Sequence, residues 1–279
     1  MDKTIFNLAL TIYRADNATD TRKHPFIDAD VNFLREYPDP MPENYLMQAQ
    51  ELAANYERLG IKYVTIHDDD YPTALRDLGT ESPQVLYIKS KTPVKELFTE
   101  DALAVVGTRD PSPYGINTCR RIIGTLAESQ QEKPVIVSGF ALGIDITAHT
   151  AALEAGMKTI AVLPCGLDEV YPKVHTPVAE RIATTPGCAL ISPFPPGTAP
   201  TAYNFLARNP IIAALAQTTI IVETKQKGGA NIIARRAYEL DRKVWAIPGR
   251  IGDIRSAGCN DLIKDGIADI LTEKDLMTI

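Results

Sequence analysis

The 279-residue chain has no glycine before Gly60, a single tryptophan, and four cysteines that form no CxxC pair. Each lack excludes something. Cys119, Cys165, Cys188 and Cys259 lie scattered in or beside apolar segments, so buried thiols are expected and neither a disulfide framework nor a thiolate metal site is. His24, His67, His149 and His175 show no HExxH spacing, and no metal or other cofactor is expected. There is no apolar run long enough to span a bilayer, and the N-terminus lacks the basic-then-apolar order of a signal peptide. A cytoplasmic protein with no membrane contact is the expectation. The missing GxGxxG argues against a dinucleotide enzyme, and the missing glycine turn argues against a helix-hairpin-helix unit in the first 60 residues.

Charge is scarce in one sign only at the front. The net charge of −6 argues at first against a polyanionic partner, but residues 1–100 hold 11 Lys+Arg against 17 Asp+Glu, leaving 18 against 18 for residues 101–279. A neutral domain can bind a polyanion if its cations converge. His67-Asp68-Asp69-Asp70 reads as a solvated turn, since it lacks the glycine and glutamate of a calcium loop.

What is present is alternation. Leu46, Ala49, Leu52, Ala53, Tyr56 and Leu59 predict a helix ending near Gly60, within a small helical region over residues 1–60. Residues 61–100 form a lead-in with strands at Ile61–Ile66 and Val85–Ile88, and Thr92–Asp101 reads as a connection. From residue 101 to 279, six apolar strands recur at Leu103–Val106, Val135–Val137, Thr159–Leu163, Ala189–Ile191, Thr219–Val222 and Val244–Ile247. Helical segments fall at Ile116–Gln130, Ile144–Ala155, Thr176–Thr184, Arg208–Ala216 and Asn231–Leu240. This predicts an α/β fold, a mostly parallel sheet with helices on both faces, whose strand-end loops share one edge.

That edge is where ligands bind in open α/β sheets. Its loops carry Gly107-Thr108-Arg109, Ser138-Gly139 through Gly143, Gly166, Glu223-Thr224 and Pro248-Gly249-Arg250. Glycine loops at helix N-termini suit a phosphate, and Arg109 suits its charge. Lys173 is placed over the same edge; Phe205 offers either a ring for base stacking or a core contact, and Arg208-Asn209 follows it. Lys225, Lys227, Gly228 and Gly229 make a basic turn before a helix. Asp145 and His149, four apart on one helix face, read as a structural brace in which the Asp caps the helix and fixes the imidazole; no nucleophile is spaced to join them, so no catalytic residue is assigned.

The stretches VVGTRDPSPYG (105–115), VSGFALGIDITAHTAAL (137–153), TIAVLPCGLDEVYP (159–172), FLARN (205–209), IIVETKQKGGA (220–230), WAIPG (245–249) and GCNDLI (258–263) resemble the DprA/Smf family, with YPTALRDLGTESPQVLYIKS (71–90) similar to its lead-in. The resemblance implies a Rossmann-like domain that binds single-stranded DNA at the strand ends, forms a homodimer, and helps load a RecA-type recombinase. Thr108, Arg109, Ser138, Gly139, Arg208 and Asn209 would be its pocket residues. The chain departs from the family at Pro210, at Gly228–Asn231, at Pro193 and at Val174-His175, and is expected to lack the C-terminal winged helix many members carry. The rival is a nucleotide phosphoribohydrolase of the lysine-decarboxylase-like group; its PGGxGTxxE pattern is absent, since Arg250-Ile251-Gly252 follows Pro248-Gly249.

Overall fold

The computed structural model describes residues 3–17, 40–98, 101–129 and 133–277. The expected helical region over 1–60 therefore lies partly outside the described residues. Within them, helices α1 (Lys3–Asn17) and α2 (Glu43–Arg58) pack on each other. The helix α2 ends at Arg58, near Gly60 as expected, and the φ of 65° at Gly60 suits glycine.

Nine strands form one sheet: β1 (Lys62–Thr65), β2 (Val85–Lys89), β3 (Ala102–Val106), β4 (Val135–Ser138), β5 (Thr159–Val162), β6 (Ala189–Ser192), β7 (Thr218–Ile221), β8 (Lys243–Ala246) and β9 (Asp269–Ile270). Their spatial order is β1-β2-β6-β5-β4-β3-β7-β8-β9. From β6 to β9 every pairing is parallel, and β1 and β2 join antiparallel, Ile88 facing Ile191. The lead-in thus extends the sheet. Helices α3 (Pro113–Ser129), α4 (Ile144–Glu154), α5 (Thr176–Thr184), α6 (Ala202–Leu215), α7 (Gly229–Glu239) and α8 (Ala257–Lys264) complete the fold.

The continuous apolar strands follow from coverage on both faces, because β3, β4, β5 and β6 are buried at every position. One face packs Ala104, Val137 and Val162 against α6, α7 and the 71–98 segment. On the other, Leu103, Val105 and Ile136 meet α3 and α4, while Tyr87, Ala161 and Leu190 meet α1, α2 and α5. The sheet differs from expectation in the early start of α6, in α8, and in β9, whose two residues are too few to show a period. All four cysteines are buried free thiols.

Asp68 corrects the solvated-turn expectation. It is buried, accepts the Thr65 N–H at 2.7 Å and its hydroxyl at 2.8 Å, and takes Asn7 Nδ2 of α1 at 2.7 Å. It ties the N-terminal helix to the sheet edge. Because hydrogen bonds to a charged group are worth more than neutral ones, Asp68→Ala is expected to lower stability by about 2 kcal/mol in urea unfolding; an unchanged midpoint would show that α1 is held by its apolar face alone.

Candidate nucleic-acid interface

Strand order runs one way from β3 to β6 and the other way from β3 to β9, so the chain reverses direction between β3 and β7. A crevice forms at such a switch point because the loops leaving the two strands turn to opposite faces. A cleft of about 470 Å³ opens there, between the β3 loop (Gly107–Asp110), the start of α6 and the β7 loop (Thr224–Ala230). It gathers Gly107, Thr108, Arg109, Phe205, Arg208, Asn209, Lys227, Gly228 and Gly229, with Asp145 on its floor. A second cleft of about 400 Å³ opens at the opposite strand ends. There Arg242 is already bonded to Asp77 and Gln217, and Asp69 and Asp70 share the rim, so it does not suit an anion.

The cations of the switch-point cleft are set differently. Arg109, Lys225 and Lys227 are exposed, and among the described residues none of them forms a salt bridge. Asp110 is engaged by Arg255, whose Nε donates to its carbonyl at 3.1 Å. The Arg109 guanidinium lies 4.2 Å from the centre of the Phe205 ring, and Tyr171 meets that ring edge-on at 5.9 Å. Phe205 is thus neither a bare stacking face nor core: its ring supports the flat guanidinium, which itself offers a plane to a base.

Beneath them sits Arg208, 3% exposed. Its Nη2 donates to the Gly139 carbonyl at 2.7 Å, while Nε and Nη1 have no hydrogen-bond partner among the described residues. Burial lowers its pKa to about 10, and the neighbouring Asp145 opposes that shift. A side chain at Gly139 would displace this guanidinium from its place. The next residue, Phe140, takes a φ of 59°, rare for an aromatic, and Gly143 one of 83°. The β4 loop is therefore bent around a buried cation.

Asp145 changes the reading of that loop. Its carboxylate takes the N–H groups of Ala141 and Gly107, the latter at 3.4 Å, and burial, foremost, raises its pKa. In the first turn of α4, Ile144 N–H donates to Thr108 O and Ile146 N–H to Ala141 O. The N–H groups expected to cradle a phosphate at Gly143 are thus taken by backbone carbonyls, and those of the neighbouring loops by the Asp145 carboxylate. Ser138 is also corrected: it is fully buried and its hydroxyl donates to Val105 O at 2.7 Å, so it supports the loop from below. Gly139 and Gly143 shape the same loop without lining the cleft. Gly166, whose N–H donates to Thr198 O, and Lys173, exposed beyond Pro172, lie outside the lining.

The Asp145–His149 brace is not formed as expected. His149 Nδ1 lies 2.7 Å from Thr159 Oγ1, and that hydroxyl gives its proton to Ile136 O, so Nδ1 carries the hydrogen and Nε2 the lone pair. Burial, with Arg208 and His175 nearby, lowers the His149 pKa to about 3. Two other residues carry weight that the sequence reading did not assign. Buried Glu223 accepts the Ser112 N–H at 2.9 Å and the Ser112 hydroxyl, and its carbonyl takes Thr108 N–H at 2.7 Å, so it stitches the β3 and β7 loops together. Asn231 donates to Lys225 O and Gln226 O, fixing the basic turn. An acid directly ending an apolar strand was the available signal for Glu223.

The sequence profile described as DNA recombination-mediator protein A matches residues 62–279. The chain is 38% identical over 249 residues to the DNA processing protein DprA of Streptococcus pneumoniae, covering 89% of this chain and 84% of that one. It is 35% identical to the protein Smf of Synechocystis, of whose length it spans 53%. The crystal structure of S. pneumoniae DprA superposes with a TM-score of 0.74 at 31% identity, over 99% of this chain and 94% of that one. A structure of DNA processing protein A from Helicobacter pylori, described for its single-stranded DNA binding mode, matches with a TM-score of 0.67 at 31% identity, over 78% and 94%.

Neutral, buried His149 sets an acid limit. Its folded pKa lies below its unfolded value, so below about pH 6.5 the unfolded chain binds a proton that the folded chain refuses, and stability falls toward pH 3 by up to about 1.4 kcal/mol per pH unit. Urea unfolding of His149→Gln between pH 7 and pH 4 is expected to show a shallower decline than the parent chain. Parallel curves would mean that the imidazole stays neutral for no energetic reason of its own.

Proposed function

The chain belongs to the DNA recombination-mediator protein A family, and on that premise we propose that its switch-point cleft holds single-stranded DNA without altering it chemically. The observation that carries the reading is the gathering of Arg109, Arg208, Lys225 and Lys227 at one crevice in a chain whose net charge is −6. Phosphates would lie against Arg109, Lys225, Lys227 and the backbone at Gly228 and Gly229, with Arg208 adding positive potential from the floor. A base would stack on the guanidinium that Phe205 supports. Thr108 and Asn209 remain in reach as polar contacts. The single-stranded DNA binding mode for which the H. pylori relative is described supports the choice of a single strand.

The hydrolase rival finds little support in this arrangement. The carboxylate at the cleft floor, Asp145, is buried and holds two backbone N–H groups, which leaves it poorly placed to activate water. Release of base from nucleoside monophosphates would overturn the non-enzymatic reading. We extend the proposal to a homodimer that passes its strand to a RecA-type recombinase in the cytoplasm, supported by family membership and by the absence, among the described residues, of a helix long and apolar enough to cross a membrane. A light-scattering mass of two chains and co-purification with a recombinase are the corresponding measurements.

Arg109→Ala is expected to weaken oligo-dT binding by about tenfold and to reduce the salt slope by about 1, as loss of one phosphate contact does. Fluorescence anisotropy at two salt concentrations reads both. The exposed side chain is not needed for folding, so an affinity unchanged across salt would remove Arg109 from the interface.

A further inference from the structure

Among the described residues, a few large apolar side chains stand exposed, and two of them share one short loop beside the cleft. Ile251, fully in solvent, and Ile254, 68% exposed, both stand in the loop between β8 and α8. Exposed aliphatic residues on one short loop have no folding rationale. The loop is also built. Asp253 N–H donates to Arg250 O and Ser256 N–H to Asp253 O, closing two successive turns, and Gly252 supplies a φ of 84°. Asn260 clamps its base through both atoms of its amide to the Gly249 backbone. The isoleucines are therefore presented from a held scaffold.

The same loop is fastened to the cleft. Arg255 bonds Asp110, a cleft residue, and Gly258 N–H donates to Thr224 O beside Lys225. Apolar tips alternate with charge along it, in the order Arg250, Ile251, Asp253, Ile254, Arg255; Arg255 is held by Asp110, and the exposed Arg250 is the cation the loop adds to those of the cleft. A single strand matches that alternation, because phosphates repeat along it while bases present apolar faces between them. A duplex hides its base faces and meets the tips only with its charged backbone.

We infer that the Arg250–Arg255 loop is a second contact for the strand: nucleotides leaving the cleft lay their bases on Ile251 and Ile254, which act as an apolar wedge. This rests on the reading of the cleft as a single-strand site. It makes the footprint longer than the cleft and places part of the preference for unpaired DNA on this loop.

The test compares Ile251→Ser/Ile254→Ser with the parent chain by anisotropy, on oligo-dT of about six and about twenty nucleotides, which bracket a site confined to the cleft and one reaching the loop. The double variant is expected to lose about fivefold in affinity for the long strand and none for the short one, with an unchanged melting curve, and Ile251→Tyr is expected to tighten the long strand. If the parent chain binds neither length, the cleft reading fails and this inference with it. If the parent binds and the double variant matches it on both lengths, or weakens equally on both, the loop contact alone is overturned. A variant that keeps its DNA affinity but shows a smaller light-scattering mass overturns it in favour of a protein contact.

Discussion

A guanidinium taken out of water must be neutralised nearby, and Arg208 imposes that constraint on everything at the strand ends. Its countercharge is Asp145, on a different helix. Asp145 in turn holds the N–H groups of Gly107 and Ala141, one from each of the loops that follow β3 and β4. Gly139 lacks a side chain so that the guanidinium can lie against its backbone, and Phe140 accepts a strained φ to carry the chain around it. Two loops and two helices are thereby fixed relative to one buried charge. Arg109 then rests on the same α6 turn through Phe205.

The rest of the surface shows why the cleft differs. Elsewhere several cations are engaged: Lys3 with Asp69, Arg235 with Asp265, Arg236 with Glu81 and Glu239, and Arg242 with Asp77. Exposed pairs of this kind add little stability, but they leave little free positive charge on those faces. At the switch point Arg109, Lys225 and Lys227 have no such partners among the described residues, and Asp110, on the rim, is held by Arg255. The potential of the molecule is set by which charges are left over rather than by their total.

Much of this was legible in the sequence where a period or a breaker marks it. Thr176–Thr184 and Val135 were placed at the residue, because apolar runs and flanking prolines or glycines define them locally. The common edge of the loops followed from parallel connections alone. What could not be read are contacts between residues far apart in the chain: Glu223 with Ser112, Asp68 with Asn7, Arg208 with Gly139. Nor does spacing reveal that Asp145 turns toward backbone N–H groups while His149 turns to Thr159, although both share a helix face. Arginine is so rarely buried that residue type pointed Arg208 outward.

The pairing of β3 with β7 has a bearing on how the molecule is made. Leu103 lies beside Thr218, and all residues between them, those of α3, β4, α4, β5, α5, β6 and α6, must emerge before that contact can close. Loop closure of this length is slow relative to local structure. On the ribosome the first half of the sheet stands with β3 as an open edge, and the crevice does not exist until the last third of the chain has docked. The crevice is thus completed late and all at once, so an unfinished chain lacks the convergence of Arg109, Lys225 and Lys227 that the finished one has.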